Sequence, residues 1–265
     1  MTAIAEVHGP GDWRGGQLGR PQWRIPLGPG ELIDGRGFAL VQGVPVSGLS
    51  EQQSEILSLG IGQQVGTVVP QGADGAPLRH VRDQGADPAS PASRSYQHPG
   101  RLGYHSDPAR LVALLCLRPA KSGGLSSIVS AVAVHNEIVR SRPDLAAVLY
   151  EPWWRDRRSG DGPDSFFQAP VYSVTAGRLL ANYGPDYMLS ALRGAQVPPL
   201  TAAQVAAMDL LDRLTNDPRF ALSMDLRAGD MQFLNNHVIM HSRTRYEDHP
   251  EPERRRDLIR LWLEA

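Results

Sequence analysis

Short apolar runs separated by polar turns dominate the chain, and its 27 glycines and 22 prolines interrupt them often. Runs bounded in this way are typical of β-strands. The predicted strands cover residues 37–41, 111–117, 127–129, 171–174, 177–183, 231–240 and 257–263. The segment 111–117, LVALLCL, is apolar throughout and is therefore predicted to be a buried strand.

Three segments have the pattern of helices instead. One follows Ser50, whose hydroxyl can accept from the free N–H groups of a first turn. A second covers residues 131–139 and ends before Pro143. The clearest helix runs from Thr201 to Leu214, with Thr201 as its N-cap. Its predicted core-facing stripe consists of Val205, Met208, Leu211 and Leu214.

Many short strands, few helices and no internal repeat favour a mainly β fold with flanking helices packed outside a closed or sandwiched core. The chain has 265 residues and is 41% hydrophobic, so residues 1–265 are predicted to form one domain. Its first thirty residues are predicted to be an irregular arm. Residues 70–103 contain few bulky apolar side chains and lead directly to His105. We expect this stretch to be an active-site lid or a mobile loop.

Composition narrows the possible partners. The formal net charge is −1, which does not indicate a nucleic-acid partner. The N-terminus lacks the pattern of a secretory signal, and no apolar run approaches the roughly 18 residues that span a membrane. The single cysteine, Cys116, excludes an intramolecular disulfide. We therefore expect a cytoplasmic protein that binds a small molecule, and the sequence predicts no particular oligomeric state.

The tripeptide His105-Ser106-Asp107 has the clearest chemical meaning. Residues two apart in an extended segment share a face, so His105 and Asp107 can bind one cation. A second histidine would complete a set that leaves three positions of iron(II) open for a co-substrate and dioxygen. His241, where an apolar strand turns polar, is the preferred candidate. His237 competes with it, because in one strand it would share that face about 13 Å away.

A co-substrate with two carboxylates, such as 2-oxoglutarate, needs a cation at its far end, and the planar guanidinium of arginine suits this role. Arg256 and Arg260 lie four residues apart on the last predicted strand and so share a face. Facing inward, they need anionic partners. Facing outward, they are ordinary surface charge. The alternation along this strand leaves both orientations open.

Four segments of the chain match a known pattern in order. They are GYHSD at 103–107, LLCLRPAKSGGLSS at 114–127, GDMQFLNNHVIMHSR at 229–243 and RDLIRLW at 256–262. Together they resemble the taurine dioxygenase and 2,4-dichlorophenoxyacetate dioxygenase family of clavaminate-synthase-like oxygenases. The resemblance implies a double-stranded β-helix, or jelly roll, with a metal site at one open end.

The resemblance also implies roles for individual residues. It makes His105, Asp107 and His241 the ligands of Fe(II). It matches Arg256 to the arginine that binds the distal carboxylate of 2-oxoglutarate. Ser126 stands where the family often has a threonine that helps to bind the same carboxylate.

The substrate pocket is predicted less completely. Arg260 matches a position that holds the anionic end of the substrate in the taurine enzyme. Tyr104, Asn182 and Tyr183 are further candidates for the pocket wall. One departure from the family pattern is a longer segment before Arg256, which affects the register of both arginines.

These features predict a dioxygenase that oxidises, and most simply hydroxylates, an unactivated C–H bond with O2 and 2-oxoglutarate. Its expected substrate is a small acidic or amino-acid-like metabolite of natural-product biosynthesis. Asp107 argues against a related halogenase, in which a small residue replaces the carboxylate ligand. Two alternatives stay open. One is a non-oxidative metal-dependent jelly-roll enzyme, which would not need Arg256, and the other is a catalytically inactive binding module.

Overall fold

The computed structural model describes residues 4–18, 30–72, 74–87, 94–158 and 162–265. Its α-helices are α1 (Glu51–Gln63), α2 (Ala131–Ser141), α3 (Pro143–Leu149), α4 (Pro185–Ser190) and α5 (Ala202–Thr215). Its strands are β1 (Phe38–Val41), β2 (Thr67–Val69), β3 (Leu78–Val81), β4 (Leu102–His105), β5 (Leu111–Arg118), β6 (Ser122–Gly123), β7 (Ser126–Ser130), β8 (Trp153–Asp156), β9 (Phe166–Ala169), β10 (Tyr172–Thr175), β11 (Arg178–Ala181), β12 (Leu222–Met224), β13 (Met231–Asn235), β14 (Ile239–Arg243), β15 (Tyr246–Glu247) and β16 (Asp257–Glu264).

Two antiparallel sheets form the centre of the fold. The larger sheet has the order β1-β13-β5-β16-β2, with β3 also paired to β16, and the smaller has the order β12-β7-β14-β4. The strand pairs β8–β9, β10–β11 and β6–β15 lie outside these sheets and are also antiparallel. The prediction of mainly β structure with helices is therefore confirmed, and the strands predicted over 171–174 and 177–183 form the antiparallel pair β10–β11.

Apolar side chains fill the space between the two sheets and cover their outer faces. Phe38 and Leu258 of the larger sheet and Ile128 of the smaller sheet share one buried cluster. The opposite face of the larger sheet packs against α1, and that of the smaller sheet packs against α2, α3 and α5. Leu258 therefore faces the neighbouring sheet, whereas Ile259 and Leu261 face away from it. Successive strand residues alternate between faces, so Arg260 points toward the space between the sheets.

The helix caps form as predicted. The Ser50 hydroxyl accepts from the Gln53 N–H at 3.2 Å, and the Thr201 hydroxyl accepts from the Gln204 N–H at 3.1 Å. The helix predicted over 131–139 extends to residue 141. Pro143 then begins α3, where its missing N–H costs nothing because the first turn has no acceptor for it.

One predicted core position of α5 is wrong. Val205 is 45% exposed, although Leu211 and Leu214 of the same predicted stripe are buried. A residue every three positions drifts around a helix of 3.6 residues per turn, so one end of such a stripe leaves the core face. The buried side of α5 consists of Ala207, Leu210, Leu211, Leu214 and Thr215.

The single strand predicted over 231–240 is also wrong, because the chain turns at residues 236–238. The Asn235 side chain accepts from the His237 N–H at 3.0 Å, and the Asn236 side chain donates to the Ala109 carbonyl at 2.8 Å. Asparagine favours turns because its side chain offers the backbone such alternative partners. β13 therefore lies in the larger sheet and β14 in the smaller one.

The stretch 70–103, predicted to be a lid or mobile loop, contains β3 and the first two residues of β4. β3 pairs with β16 over four residues, which fixes this part of the stretch to the larger sheet. Residues 73 and 88–93 lie outside the described part of the chain, as do residues 19–29 of the predicted N-terminal arm.

Among the described residues, no helix combines the length and apolar character that crossing a membrane requires.

Candidate metal centre and active site

β4 and β14 bring two distant histidines together, because His105 is the direct cross-strand partner of His241. Their ring centroids lie 4.2 Å apart, with the ring planes tilted by 46°. Asp107 follows two residues after β4 ends, and its Oδ2 lies 4.0 Å from His241 Nε2. One ligand atom from each of the three side chains lies within 4.8 Å of the others. The structure therefore gathers the three residues that the sequence predicts as metal ligands.

Hydrogen bonds orient two of these residues. His105 Nδ1 lies 2.9 Å from the Gly103 carbonyl, which can only accept, so Nδ1 donates and Nε2 keeps a free lone pair. The Asp107 N–H donates to the Asn236 side chain at 3.1 Å, which ties the segment after β4 to the turn before β14. His241 Nδ1 is buried and has no hydrogen-bond partner among the described residues.

The charges of the site favour the metal-binding forms of its side chains. Burial by itself raises the pKa of Asp107, but Arg260, His241, His105 and the Trp262 N–H together hold this pKa below its ordinary value. Burial, reinforced by His105, lowers the pKa of His241 to about 3. A carboxylate and a neutral imidazole are the forms that bind a divalent metal. This donor set of two imidazoles and one carboxylate fits iron(II).

β16 contributes two contacts to Asp107. The Trp262 indole N–H donates to Asp107 Oδ2 at 3.0 Å, and Arg260 Nη1 lies 3.5 Å from Asp107 Oδ1. Trp262 was not among the predicted site residues. The sequence feature that could have indicated Trp262 is its position two residues after Arg260, because residues two apart in a strand share a face.

Gln71 is a second site residue that the sequence did not reveal. Its Oε1 accepts from Arg260 Nε at 2.9 Å, and its Nε2 donates to the Arg260 carbonyl at 2.9 Å. The Arg260 guanidinium also lies over the rings of Trp262 and Tyr96, 4.9 and 5.2 Å from their centroids. Gln71 and the two rings thus hold Arg260 in one orientation. No motif around residue 71 indicates this role.

A cavity of about 870 Å³ opens beside the three candidate metal ligands. Asn182, Arg260 and His237 are among its lining residues. Tyr104 and Tyr183, both predicted for the pocket, pack instead into the buried cluster beneath α2 and α5. Tyr104 is adjacent to His105 in β4, so its side chain faces the opposite side of the sheet.

The predicted 2-oxoglutarate residues lie deeper between the sheets. Arg256 is 5% exposed; its Nη1 donates to the Val81 carbonyl at 3.1 Å, and its guanidinium lies over the Tyr246 ring. In the described part of the chain, no carboxylate forms an ion pair with this guanidinium. Ser126 donates to the Gln232 side chain at 2.9 Å. Gly124, with φ +71°, packs so closely against Arg256 that a Cβ would lie 3.3 Å from its Nε.

Comparison with known proteins decides the family. The model of the taurine catabolism dioxygenase TauD, TfdA family matches residues 30–262. The chain belongs to this family. It is thus an oxidoreductase that uses Fe(II), 2-oxoglutarate and O2, and the non-oxidative alternative is wrong.

Several relatives of this dioxygenase are known by sequence. FR-33289 synthase of Streptomyces rubellomurinus (strain ATCC 31215) is 30% identical over 241 residues, covering 88% of this chain and 70% of the relative. The taurine hydroxylase-like protein SAT17 of Stachybotrys chartarum (strain CBS 109288 / IBT 7711) is 27% identical, covering 93% and 67%. Uridine-5'-phosphate dioxygenase of Amycolatopsis sp is 32% identical, covering 57% and 54%.

Solved structures share the fold of this dioxygenase. Asparagine oxygenase in complex with Fe(II), 2S,3S-3-hydroxyasparagine and succinate matches with a TM-score of 0.62 and 19% identity, covering 86% of this chain and 74% of that one. The non-heme iron oxygenase OrfP in complex with Fe and alpha-ketoglutaric acid matches with a TM-score of 0.64 and 15% identity, covering 88% and 76%. The arrangement of sheets and helices is therefore that of known iron oxygenases.

Replacing Trp262 with phenylalanine is expected to weaken Fe(II) binding by the dioxygenase about 10- to 100-fold. The change removes the N–H that donates to Asp107 Oδ2 but keeps an aromatic ring against Arg260. Anaerobic titration with Fe(II), followed by the quenching of tryptophan fluorescence, measures the affinity.

Trp154→Phe is the matched control for this variant. Trp154 lies on β8, half-buried, and its indole makes no hydrogen bond to the three candidate ligands. We expect Fe(II) binding in this control to equal that of the unchanged protein. An unchanged affinity in Trp262→Phe would show that the indole N–H does not orient Asp107.

Proposed function

We propose that His105, Asp107 and His241 hold the iron(II) of this dioxygenase. The observation that carries the proposal is the convergence of their ligand atoms within 4.8 Å beside a large cavity. Two imidazoles and one carboxylate leave three coordination positions for 2-oxoglutarate and dioxygen. Bound there, iron(II) supplies the oxidative decarboxylation of 2-oxoglutarate to succinate and carbon dioxide, coupled to oxidation of the substrate.

Arg256 and Ser126 form the proposed site for the distal carboxylate of 2-oxoglutarate. The support is a buried guanidinium that lacks a carboxylate partner among the described residues, with Gly124 of the neighbouring turn packed against it. A buried cation of this kind is stabilised when an anion binds to it. The Ser126 hydroxyl would then exchange its contact with Gln232 for one with the carboxylate.

The proposed reaction is hydroxylation of an unactivated C–H bond in a small acidic or amino-acid-like metabolite. The cavity volume of about 870 Å³ is in the range of small-molecule sites. Arg260 and Asn182 on its wall offer a cation and an amide. Relatives are named a uridine-5'-phosphate dioxygenase and FR-33289 synthase, and neighbours in fold bind hydroxyasparagine and hydroxy-L-Arg. These names support a place in natural-product biosynthesis.

The two facing sheets are proposed to be the halves of a double-stranded β-helix, with the metal at one open end. Residues 70–103 are proposed to act as a lid, and the support is that Gln71, Arg79, Arg94 and Tyr96 line the cavity. A lid excludes water from the reaction. Hydrogen exchange in this segment, measured with and without 2-oxoglutarate, tests the proposal, and identical exchange in both states would contradict it.

Anaerobic titration with Fe(II) and 2-oxoglutarate tests the proposed function. We expect a weak visible charge-transfer band in the unchanged protein and none in Asp107→Ala. When oxygen is admitted with candidate substrates, succinate should accumulate. The absence of both the band and succinate with every substrate tested would overturn the proposed iron site and reaction.

A further inference from the structure

Arg155 is a buried cation on the wall of the active-site cavity. It lies on β8 and is 3% exposed, and it is among the residues that line the cavity. Its Nη2 donates to the carbonyls of Pro170 and Asn182 at 3.2 and 2.5 Å. Burial lowers its pKa to about 10, so the guanidinium is still charged at neutral pH.

The charge of Arg155 is not balanced by a carboxylate. Its Nε is buried without a hydrogen-bond partner, and within the described ranges no carboxylate lies within 4.0 Å of its nitrogens. The adjacent carboxylate of Asp156 instead pairs with Arg193 at 2.8 Å. A buried guanidinium bonded only to carbonyls has lost its hydration without gaining an opposite charge. An anion that enters the cavity would supply that charge.

Hydrogen bonds place Arg155 close to the metal centre. The Asn182 carbonyl accepts from Arg155, and the next residue, Tyr183, exchanges hydrogen bonds with Ser106. Ser106 stands between the candidate ligands His105 and Asp107. Arg155 lines the same cavity as His105 and Asp107, so an anion bound to Arg155 would share that cavity with the metal.

The cavity as a whole also has an excess of positive charge. Among the residues that the structure describes, six arginines and four aspartates line it. Arg79 pairs with Asp74, and Arg260 lies beside Asp107. The two charges of Fe(II) are offset by the two carboxylates of 2-oxoglutarate. An excess of positive charge is left, which attracts a dianion more strongly than a monoanion.

We propose that Arg155 binds a doubly charged oxyanion of the substrate, a phosphate monoester or a phosphonate, and thereby sets which C–H bond faces the iron. The inference rests on the proposed function, because it places the substrate in the cavity beside the metal. The proposed subsite is distinct from Arg260, which lies on β16 beside Asp107.

The test is calorimetric titration of the protein with methylphosphonate, methyl phosphate and acetate. The protein is loaded with Mn(II) and 2-oxoglutarate, so that no turnover occurs. The titrations are run above the second pKa of both phosphorus ligands, so that both are dianions and Arg155 is still charged. We expect both dianions to bind, the tighter one identifying the head group, and acetate to bind more weakly. Arg155→Gln should weaken dianion binding about tenfold or more, because it removes a charge-assisted hydrogen-bond donor. Arg155→Lys, which keeps the charge, should retain part of the affinity.

Arg157→Gln is the matched control, since Arg157 lines the same cavity but is exposed. If Arg155→Gln and Arg157→Gln weakened dianion binding equally, the loss would come from the overall positive charge of the cavity rather than from a site at Arg155. That result would overturn the proposal. Unchanged dianion binding in Arg155→Gln would also overturn it, as would acetate binding as tightly as methylphosphonate. Retained Mn(II) and 2-oxoglutarate binding shows that each variant is folded. Anion binding needs no turnover, so absent succinate would contradict only the proposed function.

Discussion

His241→Ala is expected to lose Fe(II) binding and succinate formation together. Loss of a residue that merely orients a ligand costs about 10- to 100-fold in metal affinity, so loss of a ligand should cost more than about 100-fold. The imidazole faces both His105 and Asp107 and has no hydrogen-bond partner among the described residues that would give it another role. Anaerobic Fe(II) titration measures the affinity, and succinate release measures turnover.

The chain provides a matched control in His237, which lies four residues earlier and also borders the cavity. Its backbone N–H is bonded to Asn235, and its ring is not part of the ligand cluster. We expect His237→Ala to bind Fe(II) as the unchanged protein does. If His237→Ala lost the metal and His241→Ala kept it, the ligand assignment would be reversed.

Arg256→Gln is expected to raise the KM for 2-oxoglutarate between about 30-fold and about 4,000-fold, with little change in Fe(II) affinity. Removing one partner of a buried, hydrogen-bonded charge pair costs about 2–5 kcal/mol, and each 1.4 kcal/mol is about tenfold. The guanidinium is buried between the sheets, away from the three candidate metal ligands. Initial rates of succinate formation against 2-oxoglutarate concentration give the KM.

The control for this variant is the neighbouring Arg255. Its guanidinium is exposed and donates to the carbonyls of His249 and Pro250 at 3.3 and 3.1 Å. Arg255→Gln should leave the KM for 2-oxoglutarate within about twofold, since exposed charges contribute little. A KM that rises equally in both variants, or a parallel loss of Fe(II) affinity in Arg256→Gln, would place the co-substrate elsewhere.

Local patterns predicted local structure well. Ser50 and Thr201 cap their helices because a side-chain hydroxyl and an N–H three residues away interact whatever surrounds them. The pair His105 and Asp107 likewise depends on a spacing of two in extended chain. The apolar run at 111–117 became the central strand β5, because only a buried position accommodates such a run.

Contacts between distant segments could not be predicted from the sequence. The orientation of Arg260 depends on which face of β16 meets the smaller sheet, and alternation along one strand cannot decide between two faces. Tyr104 and Tyr183 were predicted for the pocket because of their positions near the site. Both side chains pack into the cluster beneath the helices instead. For Tyr104 the reason is the pleat of β4, which directs it to the side opposite His105.

The sequence by itself determined the family, the central strand β5, the capped helices, and the residue types that can bind iron(II), because these depend on neighbours along the chain. Only the tertiary structure decided that His241 rather than His237 meets His105, through the turn at 236–238 and the pairing of β4 with β14. It alone brought the Trp262 indole into hydrogen-bond contact with Asp107, and it left the buried Arg155 without a carboxylate partner among the described residues. The physical reason is that ligand geometry and charge balance arise between segments far apart in sequence, whose approach is set by the packing of whole sheets.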